Sequence, residues 1–328
     1  MKKKPIDANL EGLVLEPMTT YDNYDEDAYL SANPDVKKAV QERKIWSGWR
    51  HFKKIGVKEG RRLRYSLTMV PKFEEMKRYK IEIIKKVIKD DLEYREYPGY
   101  IDFLTEKLRK EYNIVDTNSV SSNDYDRYTL KLIDKHKDGL ILDCGAGKRS
   151  VYYRNVVNFE IVPYETTDVR GVGEKLPFKD NTFDAIISMA VLEHVKDPFL
   201  CAREIGRVLK PGGELICCVP FLQPFHGYPH HYYNMTYQGL KNLFDSFLEI
   251  DKLDVYESIS PIWTLTSILR KYSEGLNGKT KEKFLRMEVR DLINSAVIYT
   301  EYPFVKELPQ EKKFELASAT VLFAHKPS

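Results

Sequence analysis

The sequence predicts an α/β protein built on a doubly wound parallel sheet, with a small helical module ahead of it and helical insertions. Three observations carry that expectation. From about residue 129 four apolar runs, GLILDCG, NFEIVPYE, FDAIISMAV and ELICCVPF, recur with helical segments between some of them, notably PFLCAREIGRVL. Such alternation calls for a parallel sheet covered by helices on both faces. The first run ends in Asp143, followed by Gly145 and Gly147, the tight turn by which a buried strand hands the chain to a helix. At 328 residues the chain can also bury a large core and hold more than one folding unit.

Three regions differ in texture. In the first, residues 1–62, Asp25 is placed to cap a short helix, and Asn33-Pro34-Asp35 marks a turn with a second helix behind it. Trp49, His51, Phe52 and Ile55 fall at helical spacing, Gly60 ends that helix, and the aromatics read as a mini-core. The second region, 63–128, reads as mostly helical: Ile81, Ile84, Val87 and Ile88 recur at spacings of three and four, with lysines on the other face as a solvated surface. The polar stretch TNSVSSNDYD connects it to the third region, 129–328. There Trp263 to about Ile298 reads as two inserted helices, and LASATVLFAHK as a last strand.

A net charge of +3, from 52 basic and 49 acidic residues, gives no reason to expect nucleic acid or a membrane as partner. Four cysteines in apolar surroundings, Cys217 and Cys218 adjacent, do not make a disulfide framework. MKKKPIDANLEG lacks the apolar stretch of a signal peptide. No run approaches the roughly 20 apolar residues of a membrane span. A cytoplasmic protein is the expectation.

The glycine turn departs from the phosphate-binding patterns: the third position of a dinucleotide fingerprint is Ser150, and no G-K-[ST] follows. Read with EKLPFKDNTFDAIISMAVLEHVKDP and REIGRVLKPGGELICCVPF, however, LDCGAG resembles the class I S-adenosylmethionine-dependent methyltransferases, in particular those that modify small molecules and carbohydrates. The resemblance covers roughly residues 129–240 and implies a Rossmann-like methyltransferase sheet with S-adenosyl-L-methionine as cofactor. It implies that Asp143, Gly145, Ala146 and Gly147 form the floor under the methionine half of that cofactor. It gives Glu160 the two ribose hydroxyls, with Asp168 as the rival for that role. Many relatives have G-D-A-E before L-P-F, whereas Gly171-Val172-Gly173-Glu174 stands here. Backbone groups and apolar contact at Val172 and Gly173 would then hold the adenine, leaving Glu174 structural. Met189 and Ala190 should line the crevice, with Glu193 and His194 close to the cofactor, His194 alternatively pinning its own loop. Gly212 and Gly213 serve the turn into the fifth strand.

Beyond that strand, PFLQPFHGYPHHYYNMT places His226, His230 and His231 among aromatics at the open end of the sheet. A metal site is not expected, because Gly227 and Pro229 oppose a helix and no carboxylate or cysteine nearby completes a set. A neutral histidine suits removal of a hydroxyl proton near pH 7, and the alternative is that the histidines satisfy loop carbonyls. Tyr228, Tyr232 and Tyr233 could stack on a sugar face or a planar acceptor. Finally, DAYLSANPDVKKAV with GWRHFKKIGVKEGR resembles a short helical module found beside enzymes of bacterial surface-polysaccharide pathways. It implies carbohydrate context and association with polysaccharide assembly proteins. The expected activity is O-methylation of a sugar or glycan intermediate. The alternatives are a small aromatic or lipid-like acceptor, or a non-catalytic scaffold on the same fold.

Overall fold

Nine strands order the first part of the chain: β1 (Gly12–Val14), β2 (Arg95–Tyr97), β3 (Tyr100–Asp102), β4 (Ile141–Cys144), β5 (Val151–Tyr153), β6 (Val156–Glu160), β7 (Val169–Arg170), β8 (Phe183–Met189) and β9 (Leu209–Cys218). The structure is a computed structural model that describes residues 12–65, 71–117, 121, 123–227 and 229–318. Seven strands form one sheet in the order β2-β3-β7-β6-β4-β8-β9, parallel except for the β2–β3 hairpin. From β4 the chain runs outward to β6 and β7, then returns to the other side of β4 for β8 and β9. A doubly wound sheet opens its crevice where the order reverses, at the carboxyl end of β4. All four residues of β4 are buried, as a central parallel strand requires. The α/β class expected from the strand repeats is the observed one.

Three expectations are corrected. The glycine turn does not lead into a helix. Residues 145–150 pass instead into β5, which pairs antiparallel with β1, and a two-residue turn leads on to β6. The region 63–128 is not mostly helical, because Tyr97-Pro98-Gly99-Tyr100 closes the β2–β3 hairpin, with Gly99 at φ 90°, and β3 extends the parallel sheet beside β7. The lysine face of the helix Pro71–Val87 is not wholly solvated, since Lys77 and Lys80 are buried.

The first and third corrections have one cause. Without a helix after β4, the 71–87 helix lies against β5 and the β6–β7 segment. Phe73 and Met76 pack with Leu15 and Tyr152, and Ile84 and Ile88 are buried. Lys80 Nζ donates to Val156 O at 2.5 Å and to Asp168 Oδ2 at 2.6 Å, and Lys77 Nζ donates to Thr167 O at 2.5 Å and lies 3.1 Å from Asp168 Oδ1. The Tyr152 hydroxyl donates to the same carboxylate, and its ring faces Lys80 Nζ at 3.6 Å. Burial pushes both lysines below their ordinary pKa despite the attraction of Asp168, while the two ammonium groups hold Asp168 below its own.

The amino-terminal helices follow their signals. Asp25 caps the helix Glu26–Ala32, accepting from Ala28 N at 2.8 Å. Pro34 opens the next, Pro34–Gln41, and Gly60 at φ 64° closes the helical run from Gly48. Ala28, Tyr29, Val36, Phe52 and Leu63 form the mini-core.

By compactness the chain divides into Met1–Cys218 and Val219–Ser328, a boundary inside the stretch 129–328 that the sequence groups together. The described part of the second unit is helical. Two of its helices, Pro261–Glu274 and Gly278–Leu285, enclose with later turns a core of Leu276, Phe284, Phe304 and Leu308. Leu316 ends the helix Gln310–Leu316, and the rest of the expected last strand lies outside the described residues from 319 onward.

Replacing Asp168 by Asn removes the charge that faces Lys77 and Lys80, a loss expected to cost about 3–5 kcal/mol in urea unfolding at pH 7. Because the folded-state pKa of Asp168 is depressed, its contribution is complete at neutral pH and fades as pH falls through that value. The gap between wild type and Asp168→Asn should therefore close in acid. Equal unfolding midpoints at pH 7 would refute the assignment.

Candidate functional site

The glycine turn is built by two residues in the left-handed region, Gly145 at φ 82° and Gly147 at φ 62°, where a Cβ is costly. The space is closed as well. A Cβ on Gly145 would lie 2.4 Å from Val191 Cγ2, and one on Gly147 would lie 2.8 Å from Ser121 O. The amides of Gly145 and Ala146 both donate to Phe159 O, at 2.9 and 3.0 Å, which ties the loop to the end of β6. Gly147 N then donates to Glu160 Oε2 at 2.7 Å, while Glu160 Oε1 accepts from Ile161 N at 2.7 Å and Val162 N at 3.3 Å. The loop and the acid of the second parallel strand are thus one hydrogen-bonded unit. Burial pushes the Glu160 carboxyl up, against the lowering effect of the three amides.

Asp143 lies beneath this loop, fully buried. Its Oδ2 accepts from Arg149 Nε at 2.8 Å and from the Tyr125 hydroxyl at 2.5 Å, with Arg149 Nη2 at 2.7 Å. The guanidinium stacks 4.0 Å from the Tyr125 ring centroid and donates to Asn123 O at 2.6 Å. Asp143 Oδ1 has no hydrogen-bond partner. Sequence reasoning missed Arg149 and Tyr125. The cue for Arg149 is a cation six positions past a buried aspartate in a turn too short for a helix; Tyr125 has no such cue.

Asp168 faces the interior, where both its oxygens meet Lys77, Lys80, Tyr152 and the Asn158 amide. Val172 is buried, and Gly173 lets the Cys201 sulfur approach, a Cβ there falling 2.7 Å from Sγ. Glu174 Oε1 accepts from Lys196 N at 2.9 Å and Asp197 N at 3.3 Å, holding its turn on the loop that starts the helix Pro198–Val208.

At the end of β8, Met189 packs against the core of Ile133, Ile141 and Ile187. Ala190 has φ 57°, a strained conformation for a residue with a Cβ, and donates to Cys218 O at 2.9 Å. In the following turn His194 N donates to Val191 O at 2.9 Å. Glu193 is fully buried and, among the described residues, neither carboxylate oxygen has a hydrogen-bond partner. His194 Nε2 lies 3.6 Å from Oε1. Burial pushes the Glu193 carboxyl up to about 8.

His226, His230 and His231 belong to the second unit. His231 Nδ1 accepts from His226 N at 3.1 Å, so its proton sits on Nε2, facing Tyr233 O at 3.1 Å and Asn234 Oδ1 at 3.0 Å. Both nitrogens therefore hold the loop together, and burial pushes this imidazole below its ordinary pKa. His226 Nδ1 donates to Pro224 O at 3.0 Å. His230 lies 5.3 Å from the Tyr232 ring, and Tyr232 in turn lies 6.3 Å from Tyr233. Tyr228 is outside the described residues. A separate cleft of about 480 Å³, lined by Tyr79, Ile83, Gly139, Leu140, Arg154 and Asn155 among others, opens at the amino ends of β4 and β6. That is the wrong end of the strands for ligand binding in a wound sheet.

Arg149→Ala leaves Asp143 buried without its counter-charge, and a loss of about 3–5 kcal/mol is expected in chemical denaturation. An unchanged midpoint would contradict the pairing.

Comparison with known proteins fits this geometry. Residues 142–217 match a family model described as a methyltransferase domain. The uncharacterized protein MJ0638 of Methanocaldococcus jannaschii is 31% identical over 147 residues, covering 40% of this chain and 58% of that one. An uncharacterized methyltransferase of Schizosaccharomyces pombe, C1B3.06c, is 45% identical over 58 residues, covering 18% of this chain and 21% of that one. The chain thus spans well under two thirds of these relatives. Among solved structures, phosphoethanolamine N-methyltransferase 2 of Haemonchus contortus in complex with S-adenosyl-L-methionine is 18% identical, covers 49% of this chain and 44% of that one, and superposes with a TM-score of 0.30, too loosely to argue from. The matched stretch spans β4 to β9, and the strand order reverses at β4, so residues 142–217 are similar to a methyltransferase domain.

Proposed function

We propose that the protein methylates a hydroxyl of a sugar or glycan intermediate of surface-polysaccharide biosynthesis, with S-adenosylmethionine as donor. The observation that carries the donor side is the bond from Gly147 N to Glu160 Oε2 at the switch point of the sheet. The donor set suits this cofactor. Glu160 holds two oxygens beside a backbone turn whose two glycines carry no side chain of their own, and a carboxylate accepts more than the three amide bonds it already has. Asp143 Oδ1 is a buried acceptor with no partner. Glu160 would take the ribose hydroxyls, and the loop 145–147 would lie under the methionine half, with Asp143 holding the loop through Arg149. Bound there, the cofactor supplies an electrophilic methyl group on a sulfonium. What the protein adds is alignment of the acceptor and exclusion of water.

The acceptor class rests on the amino-terminal helical module and on the aromatic stretch 225–233. His226, held through Nδ1 on the Pro224 carbonyl, and His230 beside Tyr232 are the side chains assigned to orienting a polar acceptor. The rings of Tyr232 and Tyr233 suit the apolar face of a sugar. A small-molecule or carbohydrate partner follows from this reading, and association with polysaccharide assembly proteins through the amino-terminal module follows with it.

Calorimetric titration should show S-adenosylmethionine binding to the wild type and binding at least about tenfold weaker to Glu160→Ala, the loss of charge-assisted hydrogen bonds. Absence of heat with the wild type would defeat the enzyme reading. With methyl-labelled donor, label is expected in nucleotide sugars or glycans, and label confined to phenols would overturn the carbohydrate reading. His226→Ala and His230→Ala should lower turnover while leaving cofactor affinity unchanged; full turnover in both would remove them from the acceptor side.

A further inference from the structure

We propose that Glu193 receives the hydroxyl proton of the methyl acceptor. This inference rests on the methyltransferase reading above and assigns the proton step within that same site.

Glu193 stands out from the other buried acids of the first unit. Asp168 is met by two lysines, Glu174 by two amides, Glu160 by three amides and Asp143 by Arg149 and Tyr125. Glu193 alone among these has both oxygens unpartnered while fully buried. Leaving such a group unsatisfied is costly to a fold, and a glutamine or methionine of similar volume would avoid the charge. A structural role offers little compensation, because the contact of Oε1 with His194 Nε2, at 3.6 Å, is with the next residue in the chain. Groups kept at such a cost concentrate where chemistry uses them.

The surroundings are those of the transfer site. Glu193 follows β8 at the carboxyl edge of the sheet, two residues after Val191, which packs directly on Gly145 of the cofactor loop. Ala190, in the same turn, carries the backbone strain noted above. On the neighbouring strand, Cys218 O accepts from Ala190 N at 2.9 Å, which ties the turn that carries Glu193 to the end of β9. The acid thus stands next to the loop that would hold the donor.

The chemistry balances. The acceptor O–H bond breaks and the proton passes to a Glu193 oxygen. The oxygen electron pair forms the O–CH₃ bond, and the electron pair of the breaking S–CH₃ bond stays on the sulfur of the sulfonium donor, giving a neutral thioether. An ordinary carboxylate is too weak a base to assist a sugar hydroxyl well near neutral pH. Burial brings Glu193 to about 8, inside the range where proton acceptors work best.

Two variants test this. Glu193→Gln should bind S-adenosylmethionine as the wild type does by calorimetry, and should transfer labelled methyl to the nucleotide sugar that labels best with the wild type at least about 100-fold more slowly. Glu193→Met should lose transfer equally while its melting temperature stays unchanged or rises, since an unpartnered buried carboxyl has been replaced by an apolar chain. Transfer by Glu193→Gln within a few-fold of wild type would overturn the assignment. So would a lowered melting temperature together with weakened cofactor binding in both variants, which would mark Glu193 as structural. Failure of the wild type itself to bind S-adenosylmethionine would instead remove the reading on which this one rests.

Discussion

Asp168, buried between β6 and β7 with Lys77, Lys80 and Tyr152 around it, fixes how the first unit is layered. Between β4 and β6 the chain has only residues 145–155, too few for a strand–helix–strand crossover. The face that such a helix would cover has to be covered from elsewhere in the chain. The 71–87 helix does this from upstream, and β1 pairs with β5 beside it. An apolar helix could cover an apolar face without charges. Here Lys77 and Lys80 reach through the layer to the carbonyls of Thr167 and Val156 and to Asp168, so the helix is held in one register as well as buried. A buried ion cluster adds little net stability against an apolar replacement, yet losing one member is costly.

The same shortening of the β4–β6 connection shapes the site. In a longer crossover the amides after the glycine turn belong to a helix. Here they are directed back at the sheet, Gly145 and Ala146 to Phe159 and Gly147 to Glu160. The glycine turn proposed as the cofactor floor and the acid proposed to hold the ribose are thereby coupled by one bond of 2.7 Å. A second consequence is that Arg149, six residues past Asp143, folds back to neutralise it. Residues 123–125 complete that pairing through the Asn123 carbonyl and the Tyr125 ring and hydroxyl, so a segment from before the sheet braces the loop.

Much of this was legible in the sequence, and the parts that were not share a cause. Long, uniformly apolar strands such as β4 and β8 announce themselves, and so do helices with capping signals, such as those behind Asp25 and Pro34. The two-residue strand β7 and the three-residue β2 and β3 are too short for periodicity to register; the Pro98-Gly99 turn was the available cue. That Lys77 and Lys80 are buried could not be read from the helix, because the partner that makes it tolerable, Asp168, lies some 90 residues downstream. At the site, the Gly145–Gly147 turn was legible from its spacing and Glu160 was singled out by the family resemblance, their cofactor roles being proposals, whereas the isolation of Glu193 is a property of packing. His231 looked like its neighbours until its hydrogen bonds showed both nitrogens committed to its own loop.

The central claim is that the Gly145–Gly147 turn and Glu160 form one receptor for a sulfonium nucleoside. A crystal structure of the protein grown with S-adenosylmethionine tests it most directly. The expected result is electron density for the cofactor over the glycine turn, with both ribose hydroxyls within hydrogen-bond distance of the Glu160 carboxylate. Density for the cofactor at another place on the chain, with Glu160 contacting only the amides of Gly147, Ile161 and Val162, would contradict it.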